Sequence, residues 1–128
     1  MAETIILGPK INLEDFMAVA RFHAPVEFSP GYCERVNRSR ALVEQWVEEE
    51  KVMYGVTTGF GALCTKAISR EETARLQENI ILSHSVSVGD PLPEEAVRGT
   101  LLMMLQNLGQ GYSGVRLEVL EQVRQFLN

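Results

Sequence analysis

Residues 54–61 read Tyr-Gly-Val-Thr-Thr-Gly-Phe-Gly. Three glycines and two threonines in so short a stretch exclude a helix interior, where each glycine costs roughly 1 kcal/mol relative to alanine. The stretch is not a polar linker either, because Tyr54, Val56 and Phe60 give it apolar anchors. It predicts a shaped loop. Gly55, Gly59 and Gly61 let the backbone approach another group closely, Thr57 and Thr58 stay small, and the ionisable aromatic Tyr54 stands at the leading edge. The rest of the chain must then act as a scaffold, and loops held on a rigid scaffold are where binding and catalytic groups concentrate.

The scaffold has enough material for one core. A 128-residue chain is a single domain of ordinary size and buries roughly two thirds of the surface its unfolded form exposes. Apolar residues make up 45% of it. The net charge of −5, from 12 basic and 17 acidic residues, argues against nucleic acid and against an anionic membrane surface. No apolar run approaches the roughly 18 residues of a membrane span, and Met1-Ala2-Glu3-Thr4 does not open a signal peptide. Two cysteines, Cys33 and Cys64, make neither a disulfide framework nor a metal site. Together these features predict a cytoplasmic protein with reduced thiols. With His23 and His84 the only histidines, no metal is expected.

The spacing of apolar residues and breakers predicts a mainly α fold over 1–128, with a short N-terminal β element and one glycine-rich loop. The β element is Thr4 to Ile11, broken at Gly8-Pro9. Helices are expected over about 12–22, 30–50, 69–86, 93–108 and 114–127. Asn12 is a fitting N-cap for the first, and Ser29-Pro30 opens the second with proline in its first turn. Val36, Val43, Trp46 and Val47 form the core stripe of the second helix, while Glu48 to Glu50 make a solvated face. Ser69-x-x-Glu72 reads as a capping box for the third. The fourth is apolar nearly all round between Leu101 and Leu105, which implies burial on more than one side. The last carries Val119, Leu120, Val123 and Leu127 on one face, with no later element to cover it.

Chemistry is expected at three places. A phenol such as that of Tyr54 titrates near pH 10 in water, so it becomes a base at neutral pH only beside positive groups or dipoles. A tyrosinate so placed can take a proton from carbon, a role worth roughly 10²–10⁴ in rate. His84, after Ser83 near the end of a helix, can read a polar side chain or move a proton. Tyr112-Ser113-Gly114-Val115-Arg116 stands at a helix start, where backbone N–H groups hold an anion such as a carboxylate. Each place also has a plain structural reading: a loop tyrosine, a helix histidine bonded to backbone, and a helix cap.

Taken together, the three segments resemble the aromatic amino acid ammonia-lyase family of histidine, phenylalanine and tyrosine ammonia-lyases and related aminomutases. The resemblance runs from about residue 4 to 128, and three motifs carry it in family order: the Tyr54 loop, Leu76-Gln77 through Ser83-His84 to Gly89, and Gly111-Tyr-Ser-Gly-Val-Arg116. The resemblance implies that Tyr54 is the base, with Gly55, Thr57, Thr58, Gly59 and Phe60 shaping its loop. It also implies that Ser83 and His84, with Gly61, contact the substrate. Ser-His is similar to the histidine-specific members. Thr57-Thr58 is closer to the phenylalanine and tyrosine branch, and the pair that should face the ring is given the greater weight.

The family's electrophile is a methylidene-imidazolone ring made from an internal Ala-Ser-Gly. That tripeptide does not occur here; Tyr112-Ser113-Gly114 is a different motif. Met104-Leu105-Gln106 stands where the family often has Arg-x-Asn, and Ser87 where a glycine is usual. The chain is therefore expected to be the N-terminal portion, or a stand-alone relative, of an ammonia-lyase acting on an aromatic amino acid, with histidine favoured. It is expected to be inactive alone and to hold no cofactor. The expected partners are further copies of itself or a complementary C-terminal lyase chain, with an amino acid as ligand. The other reading is a non-catalytic binding or oligomerisation module of the same fold.

Overall fold

The computed structural model describes residues 3–54, 56, 58 and 70–128, with only the backbone at 70–74 and 76. Of the loop predicted from the sequence, Gly55, Thr57, Gly59, Phe60 and Gly61 lie outside the described residues, as do Cys64 and the side chains of the Ser69–Glu72 capping box. The elements are β1 (Ile5–Leu7), α1 (Leu13–Ala20), β2 (Val26–Phe28), α2 (Pro30–Glu48), α3 (Arg70–His84), α4 (Glu94–Leu108) and α5 (Leu117–Leu127). The fold is mainly helical, as expected. The chain divides into two compact units, Met1–Leu42 with Pro91–Asn128, and Val43–Asp90.

In the first unit, β1 and β2 form a two-stranded parallel sheet with Ile5 opposite Val26 and Leu7 opposite Phe28. The sequence reading contained one β element; β2 is an addition to it. Val26-Glu27-Phe28 is too short for a period-2 signal, and its pairing partner lies on the far side of α1. Two helix starts follow from their capping residues. Asn12 Oδ1 accepts the Asp15 N–H at 2.7 Å, and Ser29 Oγ accepts the Tyr32 N–H at 3.2 Å with Pro30 at the first helical position.

The core of this unit gathers Leu7, Val19, Val26, Tyr32, Val36, Leu102, Leu105, Leu120 and Leu127. The face of α5 that seemed to lack cover is buried at Leu120 and Leu127, against α4 and β2, which precede it in the chain. Helix α4 departs from the expected burial on more than one side. Its inner face is Arg98, Gly99, Leu102, Leu105 and Gln106, while Met103 and Met104 are 46% and 43% exposed. Methionine has the hydropathy of a core residue but tolerates exposure, so the apolar pattern overstates how much of α4 is enclosed.

Tyr32, absent from the stripe read for α2, is fully buried. It stacks on Phe28 with ring centroids 4.2 Å apart and donates its hydroxyl to the Leu105 carbonyl at 2.7 Å. Burial raises its hydroxyl pKa well above the ordinary phenol value, so Tyr32 serves as a neutral donor throughout the working pH range. In the second unit, the end of α2 half-buries Val43, Trp46 and Val47, and the Lys51 ammonium lies 5.6 Å from the Trp46 ring centroid.

Candidate functional site

The described site residues belong to the second unit. Tyr54 stands at the first corner of a turn closed by the Val56 N–H donating to the Met53 carbonyl at 3.1 Å. The residue is 67% exposed. Thr58 is buried and forms a single β-bridge.

Ser83 and His84 form the last two residues of α3, and both are exposed. Their side chains are joined: Ser83 Oγ lies 2.9 Å from His84 Nδ1. Both reach back to the same main-chain oxygen, the Ile80 carbonyl, at 3.1 Å from Ser83 Oγ and 3.0 Å from His84 Nδ1. The last four carbonyls of a helix have no intrahelical N–H partner, and a histidine in the last turn is favourably placed against the negative helix end. The plain reading of His84 as a helix histidine bonded to backbone therefore holds for Nδ1. It does not account for Nε2, which that anchoring leaves available.

The third segment, open in sequence to the readings of an anion cradle and of a helix cap, is placed by contacts with α2. Arg116 is the N-cap of α5 without a side-chain capping bond, and its own side chain is exposed. The glycines before it serve packing against α2. Gly111 has φ +79°, and a Cβ there would come within 2.7 Å of the Arg35 carbonyl. Arg35 Nε donates to the Gly109 carbonyl at 3.1 Å, and Arg40 Nη1 to the Gly114 carbonyl at 3.4 Å. The segment is fastened to α2 through its main-chain carbonyls.

Sequence reasoning missed a groove of about 570 Å³ between α1 and α4, lined by Phe16, Ala20, Gly99, Thr100 and Met103. Its signal was Gly99 in mid-helix, where a Cβ would stand 2.8 Å from the Phe16 ring. At its mouth Arg21 Nε donates to Glu95 Oε2 at 2.7 Å. The hydrogen bond and the charge of Arg21 hold the Glu95 carboxyl below its ordinary range. A carboxyl depressed in the folded state adds stability that is present above its unfolded-state pKa and lost as pH falls through the folded one. Both side chains are exposed, so the contribution is small and screened by salt. Glu95→Gln should flatten the loss of stability on acidification below the ordinary carboxylate range. Urea unfolding at stepped pH and low salt measures this, and an unchanged slope would show that the pair contributes nothing.

Among the described residues no group of three or more His, Cys, Asp or Glu side chains is placed to hold a metal ion, and no helix is long and apolar enough to cross a membrane.

Comparison with known proteins places this arrangement. Histidine ammonia-lyase of Streptococcus pyogenes serotype M5 (strain Manfredo) is 46% identical over 121 residues, covering 94% of this chain and 24% of that protein. The enzyme of the same description from Streptococcus sanguinis (strain SK36) is 48% identical over the same shares. Among solved structures, ergothionase from Treponema denticola superposes with a TM-score of 0.91 at 32% identity, over 98% of this chain and 26% of that one. Histidine ammonia-lyase from Trypanosoma cruzi gives 0.85 at 29%, over 97% and 24%. The chain spans about a quarter of the length of the curated relatives it matches. A family profile described as "Aromatic amino acid lyase" matches residues 11–128, and with the identities above it establishes that this chain belongs to the aromatic amino acid lyase family.

Proposed function

We propose that this chain supplies the proton acceptor and the ring-reading residues of an ammonia-lyase acting on histidine, and that it needs further polypeptide to turn over. The observation that carries the reading is the Ser83–His84 pair: exposed at the end of α3, joined at 2.9 Å, and anchored to one carbonyl. The 46–48% identity to histidine ammonia-lyases over nearly the whole chain supports the choice of histidine over phenylalanine and tyrosine.

Elimination of ammonia removes a weakly acidic proton from carbon and expels a poor leaving group. A positioned base accounts for roughly 10²–10⁴ of such a rate; the rest requires an electrophile that withdraws electrons from the amine or ring. In this family that group is a methylidene-imidazolone made from Ala-Ser-Gly, and these 128 residues contain no Ala-Ser-Gly. Tyr112-Ser113-Gly114 does not fit it. Gly114 lies at φ +65° with its carbonyl engaged by Arg40, ahead of α5. What the chain itself offers is Tyr54, whose exposed phenol takes the proton once deprotonated, and His84, whose ring orients a polar side chain.

The purified chain mixed with L-histidine should produce no conjugated acrylate in the ultraviolet. Combined with a chain carrying the remaining family fold and its Ala-Ser-Gly, it should produce one. In that combination Tyr54→Phe is expected to lower kcat roughly 10²–10⁴-fold with little change in KM. Turnover by the isolated chain would overturn the reading.

A further inference from the structure

Three short contacts meet at the end of α3. Ser83 Oγ is 3.1 Å from the Ile80 carbonyl oxygen, His84 Nδ1 is 3.0 Å from that same oxygen, and Ser83 Oγ is 2.9 Å from His84 Nδ1. A carbonyl oxygen only accepts, and a serine hydroxyl has one proton to give. If Ser83 gave that proton to Nδ1, the ring nitrogen and the Ile80 oxygen would face each other lone pair to lone pair at 3.0 Å, and the Ser83–Ile80 bond would be lost. One assignment satisfies all three contacts. Ser83 O–H donates to Ile80, and the Nδ1–H of His84 donates to both the Ile80 oxygen and Ser83 Oγ.

We propose that Ser83 is a positioning residue which, with the Ile80 carbonyl, holds His84 in the Nδ1–H form, so that Nε2 presents a lone pair to the ligand. The consequence is a polarity. In the neutral ring, Nε2 is a hydrogen-bond acceptor and matches a ligand ring that carries an N–H or O–H donor, such as an imidazole or a phenol. A plain phenyl ring leaves that lone pair without a partner, and a site built to pair a polar group rejects the analogue that lacks it. On protonation the proton enters at Nε2, because Nδ1–H is already engaged, so proton exchange with a ligand runs through that atom alone. The selectivity half of this inference rests on the lyase reading above; the tautomer does not.

Long-range proton–nitrogen NMR correlations of the His84 ring in the full chain, at a pH where the ring is neutral, test the tautomer. The expected pattern is an N–H-bearing Nδ1 and a lone-pair Nε2. Ser83→Ala removes one of the two acceptors and should lower the ratio of the Nδ1–H to the Nε2–H form, by roughly two- to tenfold for one modest hydrogen bond. Ser83→Thr keeps the hydroxyl and should restore the ratio, and backbone amide spectra verify that the variants fold alike. A predominant Nε2–H form in the unmodified chain would overturn the proposal, and an unchanged ratio in Ser83→Ala would remove Ser83 from it. Added L-histidine should then move the Nε2 resonance where L-phenylalanine does not. Equal responses, or none to either, would overturn the ligand polarity while leaving the tautomer result standing, and the turnover assay reports on the lyase reading separately.

Discussion

Arg98→Met should lower the unfolding free energy of this chain by about 3 kcal/mol. Arg98 is 9% exposed, on the inner face of α4. Its Nε and Nη2 donate to the Val19 carbonyl at 3.0 and 2.9 Å, and its Nη1 donates to the Leu127 carbonyl at 2.8 Å. Both oxygens belong to helix ends, those of α1 and α5, where carbonyls lack intrahelical partners and carry the negative pole of the helix. The turn after α1 sharpens the need. His23 takes a left-handed conformation, φ +57°, and the chain doubles back so that the Ala24 N–H donates to the Ala18 carbonyl rather than to that of Val19. Val19 is itself fully buried beneath the Arg98 side chain, so its carbonyl depends on the guanidinium for a donor.

Methionine keeps an unbranched apolar stem, though a shorter one, and removes the desolvation cost of the charge together with all three donors. It leaves one wholly enclosed carbonyl and one at a helix end without a donor, each worth roughly 1–3 kcal/mol. The loss of donors outweighs the relief of charge. The urea midpoint should fall with an unchanged m-value, and the thermal midpoint should drop by about 10 °C. Arg98→Lys should recover only part of the loss, because one ammonium cannot reproduce the fork that spans both oxygens. A midpoint within error of the parent for Arg98→Met would show that the clamp is dispensable.

A second large effect is expected at Gly109→Ala, on the order of 3–5 kcal/mol and sufficient to leave little folded protein at 37 °C. Gly109 is the C-cap of α4 with φ −66°, so no unusual backbone angle calls for glycine there. Space does: a Cβ at Gly109 would stand 1.9 Å from Cε2 and 2.4 Å from Cζ of Tyr32, inside the ring. Tyr32 cannot step aside, because it is stacked on Phe28 and its hydroxyl is held by the Leu105 carbonyl. The double variant Gly109→Ala with Tyr32→Ala should lose less than the two single costs added together, since the methyl occupies part of the space the ring vacates. Additive losses would place the clash elsewhere.

The two effects mark where sequence reading reached its limit. The helices are legible because a period near 3.6, a capping side chain and a breaker are local signals, and Asn12 and Ser29 act as read. The family is legible from motif residues at characteristic positions. Neither signal reports long-range partners. Arg98 looks like any surface arginine of an amphipathic helix until Val19 and Leu127 are brought to it. Tyr32 looks like a first-turn residue until Gly109 leaves room for its ring. Strand β2 has too few residues to show a period and exists because β1 is there to pair with it. The Ser83–His84 pair was visible as a dipeptide. That both side chains share one carbonyl, and that Nε2 is thereby the open nitrogen, depends on rotamers at a helix end that no spacing rule specifies.

What the order of residues determined alone is the mainly helical class, the family, and the absence of the Ala-Ser-Gly from which the family's electrophile is made; each is a property of local pattern or plain content. What tertiary structure decided is which polar groups are satisfied and which face of each helix is enclosed. A buried donor or acceptor draws its stabilisation from whatever the fold sets beside it, and that neighbour lies far along the chain: Arg98 beside Val19, Tyr32 beside Leu105.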